Sequence, residues 1–558
     1  VRAIADLSSL ERGQRFAVRR AQETIMMRIP SLALCVGLLT LTRASSLTAQ
    51  TETPLTLEIR DYVQLPITGK VDSRGNTEAM LARVNGLHEE PGGATRLFIH
   101  DLNGPLYIVE KDSKKLTTYL DFNGRDGKPG LFRKLFSEAG YGCGLSSLAF
   151  DPAYRANGKF YTVHIEDPAI PGSSLPDNAN FPSFRTAGYV VTAPVTVPGT
   201  VQYEGVLVEW TDTNITNAIF EGTARELMRV QLNTRIHPLG DLIFNPAARA
   251  GDADWGILYI GSGDGGSGES TAAMRLNPQR LDNLEGKILR IIPDLRGHTD
   301  TSTVSENGRY RIPNDNPFVA KAGARKEIWA YGLRNPHRLT WAVDPRNSAN
   351  NRLLANTVGL HTWETVNIIQ KGANFGYPLR EGNEQLNADN QTTELPSVDR
   401  IPVRVSDVPT NDTVVPHYPV IQYGHIASGG DAIGAGFLYN GKIAALRGKY
   451  LFTDLSTGHV WYSEYSEMLA ADDGKPATTA PMHELKIRWN DRVYDALFPI
   501  AEAAYHERGG KDPDLPGTAT VSGQGRADAR FAIDDAGELY LYSKTDGVIR
   551  VVTGASVK

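Results

Sequence analysis

The sequence predicts an all-β protein, a β-propeller with long inserted loops. Three observations carry that prediction. Helical periodicity is scarce. Short apolar runs alternate with Gly, Asp, Asn and Pro turns. One hairpin-like unit recurs: an apolar strand, an Asp/Asn-rich turn, a glycine, then a strand bearing an aromatic. The second half of the unit reads Gly104-Pro105-Leu106-Tyr107, Gly158-Lys159-Phe160-Tyr161, Gly256-Ile257-Leu258-Tyr259, Gly448-Lys449-Tyr450 and Gly537-Glu538-Leu539-Tyr540. Radial repetition of such hairpins protects sheet edges, which a free-standing hairpin does not. A β-sandwich array is the competing architecture, but repeats are more visible than paired sheets.

The chain is read in order from its start. Residues 1–25 are polar and Arg-rich and are expected to be an upstream extension rather than native protein. Residues 26–49 read as a signal peptide. Met26-Met27-Arg28 precedes the apolar run Ser31–Leu41, which is too short to span a bilayer, and small residues lead to Ala49. No later stretch is apolar enough to cross a membrane, so a periplasmic or secreted protein without a membrane span is expected. Residues 51–558 show no linker and are expected to form a single domain. Residues 164–188 and 380–417 are polar and read as long loops, of the kind that form lids or rims.

Charge and cysteine content narrow the function. The whole chain carries 58 basic and 64 acidic residues. Residues 1–49 hold seven arginines and three acids, so the remainder has an excess of about ten acidic groups. Nucleic acid is an unsuitable partner for that balance. Cys35 lies in the signal segment and Cys143 stands alone, which leaves no internal disulfide. No C-x-x-C-H haem motif occurs, so electrons from any redox reaction would leave by an external acceptor.

Two stretches carry candidate chemistry. His237 precedes an apolar strand, Asp241–Asn245, followed by a second strand, Ile257–Gly261, and the polar loop Ser262-Gly263-Asp264-Gly265-Gly266. Arg334 and Asn335 are placed at the end of another strand. A histidine has the pKa of a general base near neutrality, and a guanidinium fork suits a developing oxyanion. Alone, the histidine reads equally as a turn residue, and the Arg-Asn pair as a strand-end salt bridge.

With those residues laid out, the chain resembles the glucose/sorbosone dehydrogenase family, the soluble quinoprotein sugar dehydrogenases. The resemblance runs from about Leu97 to Val552. It rests on the His237 strand with LYIGSGDGG (258–266), GCGLSSLAFDPAYRANGKFYTVH (142–164), LDNLEGKILRI (281–291), EIWAYGLRNPHRLTW (327–341), LRGKYLFTDLSTGHVW (446–461) and FAIDDAGELYLYS (531–543). It implies a six-bladed propeller that binds pyrroloquinoline quinone (PQQ) and calcium and oxidises an aldose at its anomeric carbon. By the same resemblance, His237 is the general base and Arg334 and Asn335 flank the quinone. Arg526 binds a cofactor carboxylate, and backbone carbonyls in the loop Val358–His361, at Gly359 and Leu360, hold the metal. Asp252, Asp254 and Asp264 are alternative oxygen ligands, and Glu364 would add charge beside the loop.

The match has departures. Ile236 stands where an amide or acid usually orients the histidine, so that partner must come from elsewhere. Gly142 replaces a glutamine near the substrate, Ser456 a lysine, and Asp528 a second cofactor arginine. The cofactor cage is therefore expected to be depleted in positive charge, with Arg530, Lys371, Arg338 or His337 as replacements. Two alternatives stay open: a non-catalytic extracellular propeller that binds a glycan or protein, and a calcium-dependent lactonase in which His237 activates water.

Overall fold

The computed structural model describes residues 54–69, 80–92, 95–137, 142–426 and 429–557. The expected extension and signal segment lie outside these residues. From Thr53 onward the chain forms one compact unit.

The protein is a β-propeller. Hydrogen-bond pairing builds three four-stranded antiparallel sheets, one five-stranded sheet, and a nine-stranded sheet in which two antiparallel stacks are joined by a parallel pair. The first strands are β1 (Val84–Glu89), β2 (Leu145–Phe150), β3 (Leu239–Phe244), β4 (Asn335–Ala342), β5 (Ile433–Tyr439) and β6 (Ala529–Ile533). Each packs against the next, and β6 packs against β1, so the six surround a common axis. The last unit is completed from the other end of the sequence. Strand Leu55–Gln64 pairs antiparallel with Val548–Val557 and parallel with His483–Trp489 of the preceding unit.

The core follows from this geometry. A strand buried on both faces must present apolar residues on both, and a propeller sheet is such a case. The buried residues fall into six main clusters, one between each pair of adjacent units. Trp210 anchors one of them. It is fully buried, stacks on Phe160, and donates its indole N–H to Thr162 Oγ1 at 2.8 Å. That bond satisfies the one polar atom an indole brings into a core.

The recurring glycines have a backbone reason. Gly158, Gly256, Gly448 and Gly537 all sit at positive φ, between 65° and 80°, at the turn into a second strand. Side chains other than hydrogen are strained there.

Several boundaries differ from expectation. The strand at 164 continues to Glu166, and Phe184–Arg185 adds a short parallel edge at 222–223. Residues 380–417 are not strand-poor. They contain the small sheet Arg380–Glu381, Glu384–Leu386 and Thr392–Thr393, and the hairpin of Ile401–Arg404 with Pro409–Val414. Polar composition hid these strands, because an exposed hairpin needs no apolar face. Arg334 and Asn335 do not end a strand. The strand Ile328–Tyr331 stops before Gly332 at φ 77°, and Asn335 opens β4.

Candidate active site

One cavity, of about 190 Å³, gathers His237, Arg334, Asn335, Gly359, Leu360 and Arg526. Inner-strand residues Asn85, Ser146, Gly240, His337, Arg338 and Arg530 also line it, which places it at the ring axis. A larger hollow of about 1090 Å³ lies elsewhere, beside Trp255 and Asp300, and of the expected site residues only Asp252 lines it.

His237 is fixed by its backbone and by a carboxylate. Its φ is 50°, a region that few residues other than glycine adopt and that recurs at functional sites. Gly263 makes this fit: a Cβ there would lie 2.3 Å from the His237 carbonyl oxygen. The His237 carbonyl accepts from the Gly265 N–H at 3.1 Å, and His237 Nδ1 lies 2.7 Å from Asp264 Oδ1. Asp264 is fully buried and also accepts from the Gly266 and Gly268 N–H groups, each at 3.0 Å. Burial pushes the Asp264 carboxyl up. His237, Arg334 and the Gly266 N–H outweigh that and hold it below the ordinary value. A carboxylate at Nδ1 makes that nitrogen the N–H donor and leaves the Nε2 lone pair for a ligand.

The orienting partner missing at Ile236 is therefore Asp264, twenty-seven residues downstream. This corrects the reading of Asp264 as a metal ligand. Asp252 and Asp254 are turn residues instead. Asp252 accepts from the Arg249 N–H at 2.7 Å, and Asp254 from Asn245 Nδ2 at 2.8 Å and the Tyr259 hydroxyl at 2.9 Å.

Asp264 also joins the two halves of the site, because its backbone N–H donates to the Arg334 carbonyl at 2.8 Å. The Arg334 guanidinium is engaged. It donates to the Gly359 carbonyl, to the Val358 carbonyl at 3.3 Å, and to the Glu269 carboxylate. A guanidinium thus meets the carbonyl dipole on which the expected calcium site depends. Among the described residues, no group of three or more His, Cys, Asp or Glu side chains is placed to hold a metal. The expected ligands are the Gly359 and Leu360 carbonyls, the first of which accepts from Arg334, and nothing below depends on a metal.

The loop itself is held by two carboxylates. Glu381 Oε1 accepts from the N–H groups of Leu360, His361, Thr362 and Trp363 at 2.8 to 3.1 Å. Glu364 accepts from the Gly359 N–H at 3.0 Å, the Ile433 N–H at 2.7 Å and His425 Nε2 at 2.7 Å. Burial lowers the His425 pKa, but Glu364 more than offsets this and raises it. His425 also lines the cavity and was not visible as a candidate from sequence.

The cavity is not depleted in cations. Arg338, Arg530 and Lys544 line it beside Arg334 and Arg526. Lys371 lies instead over the Trp329 ring. At the departures the chain has rebuilt its contacts. Ser456 donates to Asp431, which also accepts from the Thr520 and Val521 N–H groups. Asp528 lies 3.2 Å from Lys544 Nζ, 3.8 Å from Arg530 and 3.9 Å from Arg526. Gly142 faces Pro238 on the cavity wall. Lys544 sits directly after the strand Leu539–Ser543, and a cation at a strand end was the available signal for it.

The sequence profile of glucose/sorbosone dehydrogenases matches residues 91–402, more than half of the chain, and the chain belongs to that family. The HIPL1 protein of Arabidopsis thaliana is 25% identical over 66% of this chain and 51% of its own length. The aldose sugar dehydrogenase YliI of Escherichia coli is 35% identical over 27% of this chain and 31% of its own length. The chain thus spans about half the length, or less, of these curated relatives. The PQQ-bound form of an aldose sugar dehydrogenase from Streptomyces coelicolor aligns over 90% of this chain and 99% of its own, at 17% identity and a TM-score of 0.48.

Proposed function

We propose that the protein is an exported quinoprotein dehydrogenase that oxidises the anomeric carbon of an aldose to a lactone. The observation that carries this reading is the His237–Asp264 pair on a cavity rich in cations. PQQ is a tricarboxylate, and Arg338, Arg526 and Arg530 line the cavity with charge that suits it, while burial holds Lys544 well below its ordinary value. When bound, the quinone supplies the hydride acceptor.

The residues of the chain do the rest. His237 Nε2 takes the proton of the anomeric hydroxyl as the C–H electron pair departs with its hydrogen, which leaves a C=O at the anomeric carbon. Asp264 keeps the imidazole in the required tautomer and stabilises the imidazolium that forms. Asn335 and Arg334 line the same cavity, the Arg334 carbonyl bonded to the Asp264 N–H. Electrons leave to an external acceptor. Export fits the signal-like segment at 26–49, and no helix among the described residues is long and apolar enough to cross a membrane.

The test is reconstitution. Purified protein mixed with PQQ should retain quinone absorbance after desalting and reduce a dye with aldoses. Protein that retains no quinone at micromolar concentration contradicts the proposal. One observation favours a second reading, a propeller that binds a glycan or protein without chemistry. Arg334 is already paired with Glu269 and Gly359, so its charge is partly spent. A protein that binds sugar but no quinone would support that reading.

A further inference from the structure

A second, much smaller cavity, of about 30 Å³, adjoins the central one. Arg334, Val358 and Gly359 line both and so form the partition between them. Trp363, Tyr377 and Glu381 line only the small one. Four buried polar atoms of its lining have no hydrogen-bond partner among the described residues: Arg334 Nε, Trp363 Nε1, the Tyr377 hydroxyl and Glu381 Oε2. Arg334, Tyr377 and Glu381 are only 8%, 5% and 4% exposed, so bulk water does not serve them. The remaining polar atoms of Arg334 and Glu381 are engaged. Glu381 Oε1 takes the four loop N–H groups, and the Arg334 Nη atoms reach Val358, Gly359 and Glu269. Tyr377 is placed by its own N–H, which donates to the Gly332 carbonyl at 2.9 Å. Gly268 admits the ring: a Cβ there would lie 2.6 Å from the Tyr377 hydroxyl oxygen.

A buried polar atom without a partner is costly, and an atom of a charged group more so. The four atoms specify what can satisfy them. Arg334 Nε and Trp363 Nε1 only donate. Glu381 Oε2, as a carboxylate oxygen, only accepts, and the Tyr377 hydroxyl does either. Burial, aided by Asp264, holds Tyr377 well above its ordinary value, so it keeps its proton. A cation is opposed by the two N–H donors, an anion by the carboxylate, and an apolar molecule by all four atoms. A water molecule accepts two hydrogen bonds and donates two, which is the complement of this set. The cavity has room for roughly one or two waters.

We propose that one structural water binds here, accepting from Arg334 Nε and Trp363 Nε1 and donating to Glu381 Oε2 and the Tyr377 hydroxyl. Through it Arg334 gains a second carboxylate beside Glu269, on the face turned away from the central cavity. Glu381 and Tyr377 are then positioning residues, which fix the Arg334 side chain without reaching the ligand. The water site stands apart from the quinone reading. Only its effect on ligand affinity rests on that reading.

An X-ray structure of the full chain at atomic resolution tests the site. It should show one water about 2.7–3.2 Å from each of the four atoms. No density there, or an ion at the shorter distances of metal ligation, about 2.3–2.6 Å for calcium, overturns it. Tyr377→Phe tests the positioning role, and Trp363→Phe serves if that variant does not fold. Removing one partner of the water should shift the nitrogen–proton resonance of Arg334 Nε, a change that lost packing alone does not produce. An unshifted resonance overturns the positioning role. Calorimetric titration with PQQ should show binding weakened about three- to tenfold in the variant, the worth of one hydrogen bond. Equal PQQ affinity in the variant and wild type also overturns the positioning role. A wild type that binds no PQQ removes the quinone reading, and the water site is then decided by the density and the resonance.

Discussion

His237 shows what a single residue reveals in sequence and what it does not. Its position before an apolar strand and a Gly/Asp loop was legible. Its partner was not, because Asp264 sits in a run of glycines where an aspartate reads as turn chemistry. Only the left-handed φ at His237 and the close approach of Gly263 bring the two together. His237→Ala should abolish dye reduction while quinone binding persists. Asp264→Asn should lower turnover on the order of a hundredfold, with quinone binding likewise retained, since it disturbs tautomer and orientation without emptying the cavity. Steady-state kinetics beside a binding titration separates the two effects. Arg334 behaves differently. Its engagement with Gly359 and Glu269 means that Arg334→Ala should weaken quinone binding and also cost about 2 kcal/mol of stability, discounted because Glu269 is partly exposed. Urea unfolding reads the second effect.

The loop from Val358 to Trp363 is the element whose role changed most between sequence and structure. The resemblance assigned its carbonyls to a metal, and carbonyl ligation leaves no side-chain trace to check. The structure gives it a different organising principle. A single carboxylate oxygen of Glu381 gathers four consecutive N–H groups. Glu381 lies in the segment read as loop, where nothing marks it as a partner of residues twenty positions earlier. Glu381→Ala should cost about 3 kcal/mol in urea unfolding, because buried N–H groups lose a charged acceptor. It should also weaken ligand binding, because Gly359 and Leu360 line the cavity. Elsewhere the glycine-marked hairpins were legible because positive φ selects glycine. The fourth unit escaped that signal. Its first two strands, Asn335–Ala342 and Arg352–Val358, are joined through the 3-10 turn Ser348–Asn350, capped by Asn347 in an extended conformation, so no left-handed residue is required at the cap.

At the scale of the whole molecule, the ring is closed by strands from opposite ends of the described chain. Leu55–Gln64 completes the unit formed by Ala529–Ile533, Leu539–Ser543 and Val548–Val557. Deleting residues 54–64 should expose the edge of Val548–Val557 and lower the melting temperature on the order of 10 °C or more, as read by calorimetry. The axis also carries an acid sensitivity. His88 and His100 stack with ring centroids 5.5 Å apart. Burial lowers His88 from 6.5 to about 4 and His100 well below 6.5. The folded state therefore binds fewer protons than the unfolded chain in this window. Their contribution to stability is complete above pH 6.5 and is lost as pH falls toward about 4. Melting temperature should drop on the order of 5 °C across that window, and His88→Gln should remove part of the drop.

The most direct test is a single turnover. Protein loaded with PQQ is mixed rapidly with an aldose, and reduction of the quinone is followed by absorbance in wild type and in His237→Ala. Wild type should reduce its quinone, and the variant, holding as much quinone, should do so at least about a hundredfold more slowly. Equal rates in the two proteins, or a wild type whose bound quinone no aldose reduces, would contradict the assignment of His237 as the base of a sugar-oxidising site.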